Sequence, residues 1–321
     1  MRILITGAGG SSAVSIWKSL SAHALFMADI DPCASGLYLV PEKRRFLLPR
    51  GDNPGFVRAL LELCLKRKIE LLIPTVDSEL LPVALARSRF EKQGVKVALP
   101  GAGTLRLCRD KYALITRLRT HVPTPDTVLL NPGSFARLKK FPVFVKPRIG
   151  AGSRGTLIAR NKADLHNLPK NGTLMIQEYL PGEEYSVDTY VRADGTLIAA
   201  VPRERLKTDS GIAVTARTVH LPEAIGIATR ILNKIRIRYV ANIQLKRSSD
   251  GVLKLLEINP RFPGTMPLTA EAGIDLPRLL VKEITGNSLP SQLLPFREVA
   301  MIRYWTEHYF APGEMKQICP L

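Results

Sequence analysis

No stretch of this chain approaches the roughly eighteen uninterrupted apolar residues that a membrane span requires, and none is expected to cross a bilayer. The apolar run at the N-terminus is short and lacks a cleavage signature, so the expected location is the cytoplasm. Cysteine is sparse: Cys33, Cys64, Cys108 and Cys319 are far apart and form no C-x-x-C pair, which argues against a zinc centre or a disulfide framework and for reduced thiols. Acidic residues are in deficit, 28 against 46 Lys and Arg, giving a formal net charge of +18. Such a balance fits an anionic substrate, or diffuse attraction to nucleic acid or a membrane surface. The cations are dispersed, however, and the densest run, Lys43-Arg44-Arg45, has only Phe46 beside it. No nucleic-acid module is recognisable, and no specific nucleic acid is expected as a partner. A Walker A loop and a Ser or Cys catalytic triad are also missing.

What is present is a 321-residue chain with 45% hydrophobic residues, enough for two or three lobes around sizeable cores. Residues 2–6 read as a short buried strand running into Gly7-Ala8-Gly9-Gly10-Ser11-Ser12, with a helix over 13–20. Ser12 stands where a dinucleotide fingerprint would place its third glycine, although Asp29 and Asp31 follow at about the expected distance. The turn therefore reads either as a cofactor loop or as a glycine turn that lets strand and helix pack closely. Helical periodicity at 56–68, a strand at 70–74, a helix opened by Asp77 and Glu79, and a strand at 95–99 complete a repeating β-α lobe.

The chemistry-bearing strands come later. In residues 255–261, side chains alternate faces, so Glu257, Asn259 and Arg261 project to one side and Leu256 and Ile258 to the other. Residues 241–246 alternate likewise, and Asp250-Gly251 is a hairpin signal between the two strands. A two-residue loop there sets Gln244 opposite Glu257 and Asn242 opposite Asn259, and a four-residue loop keeps the parity. Four oxygen-bearing side chains then share a face. Hard cations such as Mg²⁺ take such ligands, through one or two carboxylates plus substrate phosphates.

Upstream, residues 141–147 form a strand ending at Lys146-Pro147, followed by Gly150, Gly152, Ser153 and Gly155, whose backbone amides can face phosphate oxygens. The segment reads equally as a flexible hairpin tip. Strands at 173–180 and 183–191 meet at Pro181-Gly182, a break that can offer backbone groups to an adenine edge or serve as a plain surface turn. Arg203, Arg205 and Lys207 alternate on one strand, with Arg217 beyond; together they either clamp an anionic group or form a solvated face. A helix over 223–235 feeds the metal-facing hairpin, and a helix over 276–285 and a strand over 299–305 follow.

The order of these pieces resembles the ATP-grasp superfamily, in the branch that includes the ATP-binding halves of the carbamoyl-phosphate synthase large subunit. The motifs are D-K at 110–111, V-K-P-x-x-G-x-G-S-x-G at 145–155, Q-E-Y-L-P-G-E-E-Y-S-V-D at 177–188, N-I-Q-L at 242–245 and L-E-I-N-P-R at 256–261. The resemblance implies a mixed α/β and α+β fold. Its parts would be a parallel pre-ATP-grasp lobe (1–105), an ATP-grasp domain (106–289; lid about 115–180, C-terminal subdomain about 181–289), and a C-terminal strand and tail (290–321). It implies that Lys111 and Lys146 contact ATP phosphates beneath a lid containing Gly150, Gly152, Ser153 and Gly155. Glu178 and Leu180 would present backbone groups to adenine, Gln177 and Tyr179 would lie beside it, and Glu184 would hold the ribose. Glu257, Asn259 and Gln244 would face Mg²⁺, with Mn²⁺ as an alternative. Arg261 would stabilise the transferring phosphoryl group, and Lys146 and Arg217 join it as candidate catalytic residues.

The activity so implied is ATP-dependent joining of a carboxylate to an amine through an acylphosphate, releasing ADP and phosphate. Small-molecule carboxylate and amine substrates with an anionic group are expected, and a homodimer fits the reading. Carbamoyl-phosphate synthesis itself is not expected from a single ATP unit. Carboxylate kinase or carboxylase-like chemistry, nucleotide binding without turnover, and a dinucleotide-dependent oxidoreductase are the competing classes.

Overall fold

A computed structural model describes residues 1–150, 152, 154–307, 309 and 311. The first lobe is a parallel sheet of β1 (Arg2–Thr6), β2 (Ala24–Asp29), β3 (Arg45–Leu47), β4 (Leu71–Ile73) and β5 (Lys96–Val97), in the order β3-β2-β1-β4-β5. Helices α1 (Ser11–Ser19), α2 (Phe56–Lys66), α3 (Asp77–Leu85) and α4 (Arg87–Glu91) connect and cover it. Both faces of β1 are buried: Ile3 and Ile5 enter one core cluster and Leu4 the other. That two-sided burial explains the uninterrupted apolar runs of these strands.

The chain leaves β1 towards β2 on one side and returns as β4 on the other, so the loops after β1 and β4 part at a topological switch point. Ligands of open α/β sheets bind at such crevices. Gly7 turns there at φ +69°, and a Cβ on it would lie 2.4 Å from Val76 Cγ2 and 2.7 Å from Thr75 Oγ1. Close approach of the two loops thus requires glycine at this position.

Helices α5 (Ala102–Arg109) and α6 (Lys111–Leu118) lead to a second, antiparallel sheet. It holds β6 (Thr127–Leu129), β7 (Val143–Pro147), β8 (Leu157–Ala159) and β9 (Leu174–Glu178) in the order β6-β9-β7-β8, with α7 (Pro132–Arg137) packed beside it. The third sheet comprises β10 (Glu184–Val191), β11 (Leu197–Asp209), β12 (Ile212–Thr218), β13 (Tyr239–Arg247), β14 (Leu253–Asn259) and β15 (Ala300–Ile302) in the order β14-β13-β10-β11-β12-β15. Its helices are α8 (Pro222–Leu232), α9 (Met266–Glu271) and α10 (Leu276–Ile284).

One face of the third sheet is apolar: Val187, Ile243, Leu245 and Leu255 bury against α6 and α8. Elsewhere the sheet joins the first lobe, with Tyr190, Ile198, Val201 and Phe262 packed in one cluster with Ile3 and Ile5. The two lobes are therefore fixed to each other by shared apolar burial, the dominant favourable term in folding. The polar face of the sheet looks toward the crevice of the first lobe.

The β13–β14 hairpin reaches the expected pairing by a different route. Arg247 pairs with Leu253, so the loop from 248 to 252 contains an odd number of residues, whereas loops of two or four were expected. An odd loop alone would put Gln244 opposite Leu256 and turn Glu257 away. Leu245 instead pairs with Leu255 and Gln244 with Glu257, leaving Leu256 as an unpaired bulge residue. The bulge resets the parity, and Asn242 faces Asn259 as anticipated. Strand β11 runs on to Asp209, with register shifts on either side of Lys207. These shifts take Lys207, which is exposed, out of the row formed by Arg203 and Arg205.

Cys64 and Cys108 are buried and Cys33 is exposed, all free; Cys319 lies outside the described residues. No helix among the described residues is long and apolar enough to cross a membrane.

Candidate active site

Lys146, the next-to-last residue of β7, is buried, and its Nζ lies 3.5 Å from the carbonyl oxygen of Leu256, the bulge residue. Burial pulls its ammonium down to about 8, opposed by the Glu257 carboxylate; Lys111 lowers it further and Glu184 raises it. Lys111, in the first turn of α6, donates to the Gly150 carbonyl at 2.5 Å and stands 3.6 Å from Glu257 Oε2. Asp110 caps α6 by accepting from the Ala113 amide, and it also takes a bidentate pair from Arg148, at 2.6 Å on the closer branch. This clamp fixes Lys111 against the segment that follows Lys146. Lys111 thus meets the Glu257 carboxylate and Lys146 the carbonyl of the residue before it, although they come from a helix and a strand more than thirty residues apart.

Glu257 is the hub of the polar face. Its Oε1 accepts from Asn259 Nδ2 at 3.0 Å; with the Gln244 amide turned so that both its ends are satisfied, Gln244 donates to the same Oε1 at 3.3 Å and accepts from Arg205 Nη1 at 3.1 Å. One carboxylate and two amides form the donor set. This set is hard and oxygen-bearing, which suits Mg²⁺ completed by phosphate oxygens and water. No cluster of three or more His, Cys, Asp or Glu that could hold a metal occurs among the described residues, so a cation here would depend on the nucleotide for further ligands.

On the adenine side, Gln177 is buried and donates to Thr127 Oγ1. The Glu178 carboxylate is held by Lys254 Nζ at 2.8 Å, and its amide donates to the Asp126 carbonyl at 2.8 Å. Leu180 is buried, and Tyr179 lines a separate hollow with Phe141, Pro142, Ile158 and Arg160. Glu184, expected at a ribose, pairs with Arg205 Nη1 at 3.1 Å. Gly152 and Gly155 turn at φ +68° and +70°. Ser153 lies outside the described residues.

Arg217 is not brought to this face. It pairs across the ladder with Glu204, which alternates with Arg203 and Arg205, and its exposed side chain donates to Glu204 Oε2 at 2.6 Å. Strand parity therefore sends it to the opposite side of the sheet from Glu257. Arg261 does stay beside the site, but as one half of a bidentate pair with Asp77 Oδ1 at 2.7 Å and Oδ2 at 3.2 Å. Asp77 opens α3 in the first lobe, and the sequence showed it only as a helix-start acid.

Beside the hub lies a cavity of about 530 Å³ between the lobes. One wall is the switch-point crevice, Gly7, Gly9 and Gly10 with Asp29, Asp31 and Asp77; the other includes Ser186, Arg203, Arg205, Gln244, Asn259 and Arg261. Lys111, Lys146 and Glu257 do not line it. The lysines and the cavity are thus neighbouring compartments that meet at Gln244 and Asn259. The glycine turn, read from sequence as a cofactor loop or a packing device, packs closely and also forms a cavity wall. Ser186 escaped notice in the sequence because a lone serine within a strand carries no signal.

Residues 170–308 match the family model described as ATP-grasp in the biosynthetic pathway with Ter operon, and residues 3–98 match the PylC-like, N-terminal domain. The chain carries an ATP-grasp domain behind a PylC-like N-terminal domain. Among curated proteins, the arginine-specific large chain of carbamoyl phosphate synthase from Geobacillus stearothermophilus is 30% identical over 164 residues, 46% of this chain and 15% of that protein. Phosphoribosylamine–glycine ligase from Salmonella typhi is 24% identical over 227 residues, 66% of this chain and 52% of that protein. The chain thus spans only a small part of the carbamoyl phosphate synthase chains and about half of the ligase.

Solved structures share the ATP-grasp fold. Biotin carboxylase from Campylobacter jejuni, in its β-γ-ATP complex, superposes with a TM-score of 0.73 at 16% identity over 91% of this chain and 72% of that one. Carboxyaminoimidazole ribonucleotide synthase from Aspergillus clavatus, complexed with ATP, gives 0.74 at 15% identity over 92% and 80%.

Proposed function

We propose that the protein is an ATP-dependent carboxylate–amine ligase, with residues 1–105 as the pre-ATP-grasp lobe and 106–289 as the catalytic domain. The observation that carries this reading is the placing of Lys111 against Glu257 and of Lys146 against the adjoining Leu256 carbonyl, at the border of a separate cavity rich in arginine. One compartment suits a triphosphate and the other a small anionic substrate.

Lys146 and Lys111 hold the phosphates, and the Gly150–Gly155 segment covers them. Glu178 and Leu180 offer backbone groups to adenine beside Gln177. Glu257 and Asn259, with Gln244, would hold Mg²⁺, which when bound offsets phosphate charge. Arg261 is released from Asp77 to meet charge on the transferring phosphoryl group. A carboxylate resists attack by an amine because oxide is a poor leaving group. Transfer of the γ-phosphoryl group to a carboxylate oxygen expels ADP and supplies a better one. The amine then forms the C–N bond as the C–O bond to phosphate breaks, and a proton leaves the nitrogen. The chain's part is positioning and charge stabilisation, and a closed lid keeps water from the intermediate.

The test is ADP release over a panel of carboxylates and amines. Wild type should release ADP and phosphate only with a carboxylate present, and Lys146→Ala and Glu257→Ala should lose at least a hundredfold. Absence of ATP binding by wild type, or normal turnover by both variants, overturns the reading.

A further inference from the structure

The cavity wall beside Gln244 contains polar groups that the chain itself does not satisfy. Ser186 on β10 and Arg203 on β11 are each only 2% exposed, and Arg205 follows on the same face of β11. Ser186 Oγ, Arg203 Nε and Arg205 Nε are buried and have no hydrogen-bond partner among the described residues. Native interiors pair nearly all such groups, so several orphans on one cavity wall point to a missing ligand. The nearby acids hold other nitrogens of the same guanidinium groups and leave the Nε atoms open: Asp188 Oδ1 takes Arg203 Nη2 at 2.7 Å, and Glu184 takes Arg205 Nη1.

Local charge points the same way. Arg303, just beyond β15, donates to the carbonyl of Gly264, a cavity residue, and has no carboxylate within ion-pair distance among the described residues. With no acid paired to it, Arg303 leaves positive charge behind the wall; burial and the charge of Arg203 both lower its pKa. Across the cavity stand Asp29 and Asp31, which disfavour a second anionic group and suit a cation.

We propose that Ser186, Arg203 and Arg205 form a carboxylate-binding subsite, and that the substrate seated there is a free amino acid whose ammonium group faces Asp29 and Asp31. This rests on the ligase reading and names the class of its carboxylate substrate. Arginine N–H groups and a hydroxyl match the in-plane lone pairs of a carboxylate. The apolar side chains of Ile212, Ala213 and Pro263 line the same space and leave room for a small aliphatic chain. The subsite adjoins Gln244 and Asn259, so the bound carboxylate lies next to the place assigned to the γ-phosphate.

The test uses the full chain with MgATP, and hydroxylamine as a general amine that traps an activated carboxylate as a hydroxamate. The panel is the twenty protein amino acids, their amides, acetate, succinate and glycerol phosphate. Amino acids should give hydroxamate and ADP; amides, succinate and glycerol phosphate should not. Arg205→Gln should raise the KM for the best amino acid at least tenfold, and Ser186→Ala should raise it severalfold with the KM for ATP unchanged. Ser186→Ala keeps every ion pair intact, so its folding is checked simply by an unchanged melting temperature. Unchanged amino-acid KM in both variants, preference for succinate or glycerol phosphate, or no response to any amino acid overturns the subsite. Failure of the ligase reading looks different: no MgATP-dependent melting shift at all, while amino acids still stabilise wild type but not Arg205→Gln.

Discussion

Glu79 offers a sharp test of how the first lobe holds the cavity. It lies on α3 one half-turn after Asp77, is 5% exposed, and accepts a hydrogen bond from Thr6 Oγ1 at the end of β1. Burial pushes its carboxyl from 4.5 up to about 7, against the lowering effect of Thr6, with Asp29 adding a further push upward. The folded protein therefore holds a proton that the unfolded chain releases between those values. Stability from this group is fully present below pH 4.5 and is lost as pH rises through 7. At about 1.4 kcal/mol per unit, the whole effect is roughly 3 kcal/mol, most of it falling between pH 5 and 8. Glu79→Gln mimics the protonated acid and removes the titration. Urea unfolding of wild type and variant across pH 5 to 8.5 should show the variant gaining roughly 2 to 3 kcal/mol relative to wild type over that range. Subtracting the two curves cancels every other titrating group. Parallel curves, with a difference constant to about 0.5 kcal/mol, would refute the buried-carboxyl argument.

Other perturbations address single contacts. Asp188 accepts from Arg203, Asn242 and Thr269, so Asp188→Asn strands a buried guanidinium and should cost about 3–5 kcal/mol in urea unfolding. Gly7→Ala puts a methyl group against Val76 and Thr75 at a positive φ and should cost about 1–3 kcal/mol, read as a lower melting temperature. Asp77→Asn weakens a partly exposed pair with Arg261 and should change stability by less than about 1 kcal/mol, while kcat for ADP release changes severalfold and the KM for ATP stays constant.

Much of this architecture was legible in the sequence because it depends on period and parity. The alternation in 241–246 and 255–261 was enough to predict that Gln244, Glu257, Asn242 and Asn259 share a face, and they do. The route was not legible: an odd loop and a bulge at Leu256 cancel, and neither leaves a mark in a pattern of period two. Strand β2 carries no alternation because both its faces are buried, and so it passed unnoticed among apolar residues. Arg217 illustrates the opposite failure. Grouping it with Arg203 and Arg205 needed the register of the β11–β12 hairpin, which no residue spacing supplies across Ser210-Gly211. Contacts between lobes, such as Asp77 with Arg261, were invisible for the same reason: they join segments 184 residues apart.

The bulge also links fold to chemistry. By inserting Leu256 between paired residues, the chain keeps Glu257 on the polar face and leaves the Leu256 carbonyl near Lys146. The charge balance of the cavity follows a similar economy. Arg203, Arg205 and Arg261 each face a carboxylate from another strand or lobe, so the formal charge of +18 is not concentrated at the site. Selectivity for an anion must then come from donors held in fixed positions, Ser186 Oγ and the two guanidinium Nε groups, and from Arg303 behind them, which has no carboxylate partner among the described residues. Fixed donors in a buried wall are screened little by salt, unlike a diffuse basic surface. The dispersed surface charge and the substrate preference are therefore separate properties of this chain, and only the second is built into the fold.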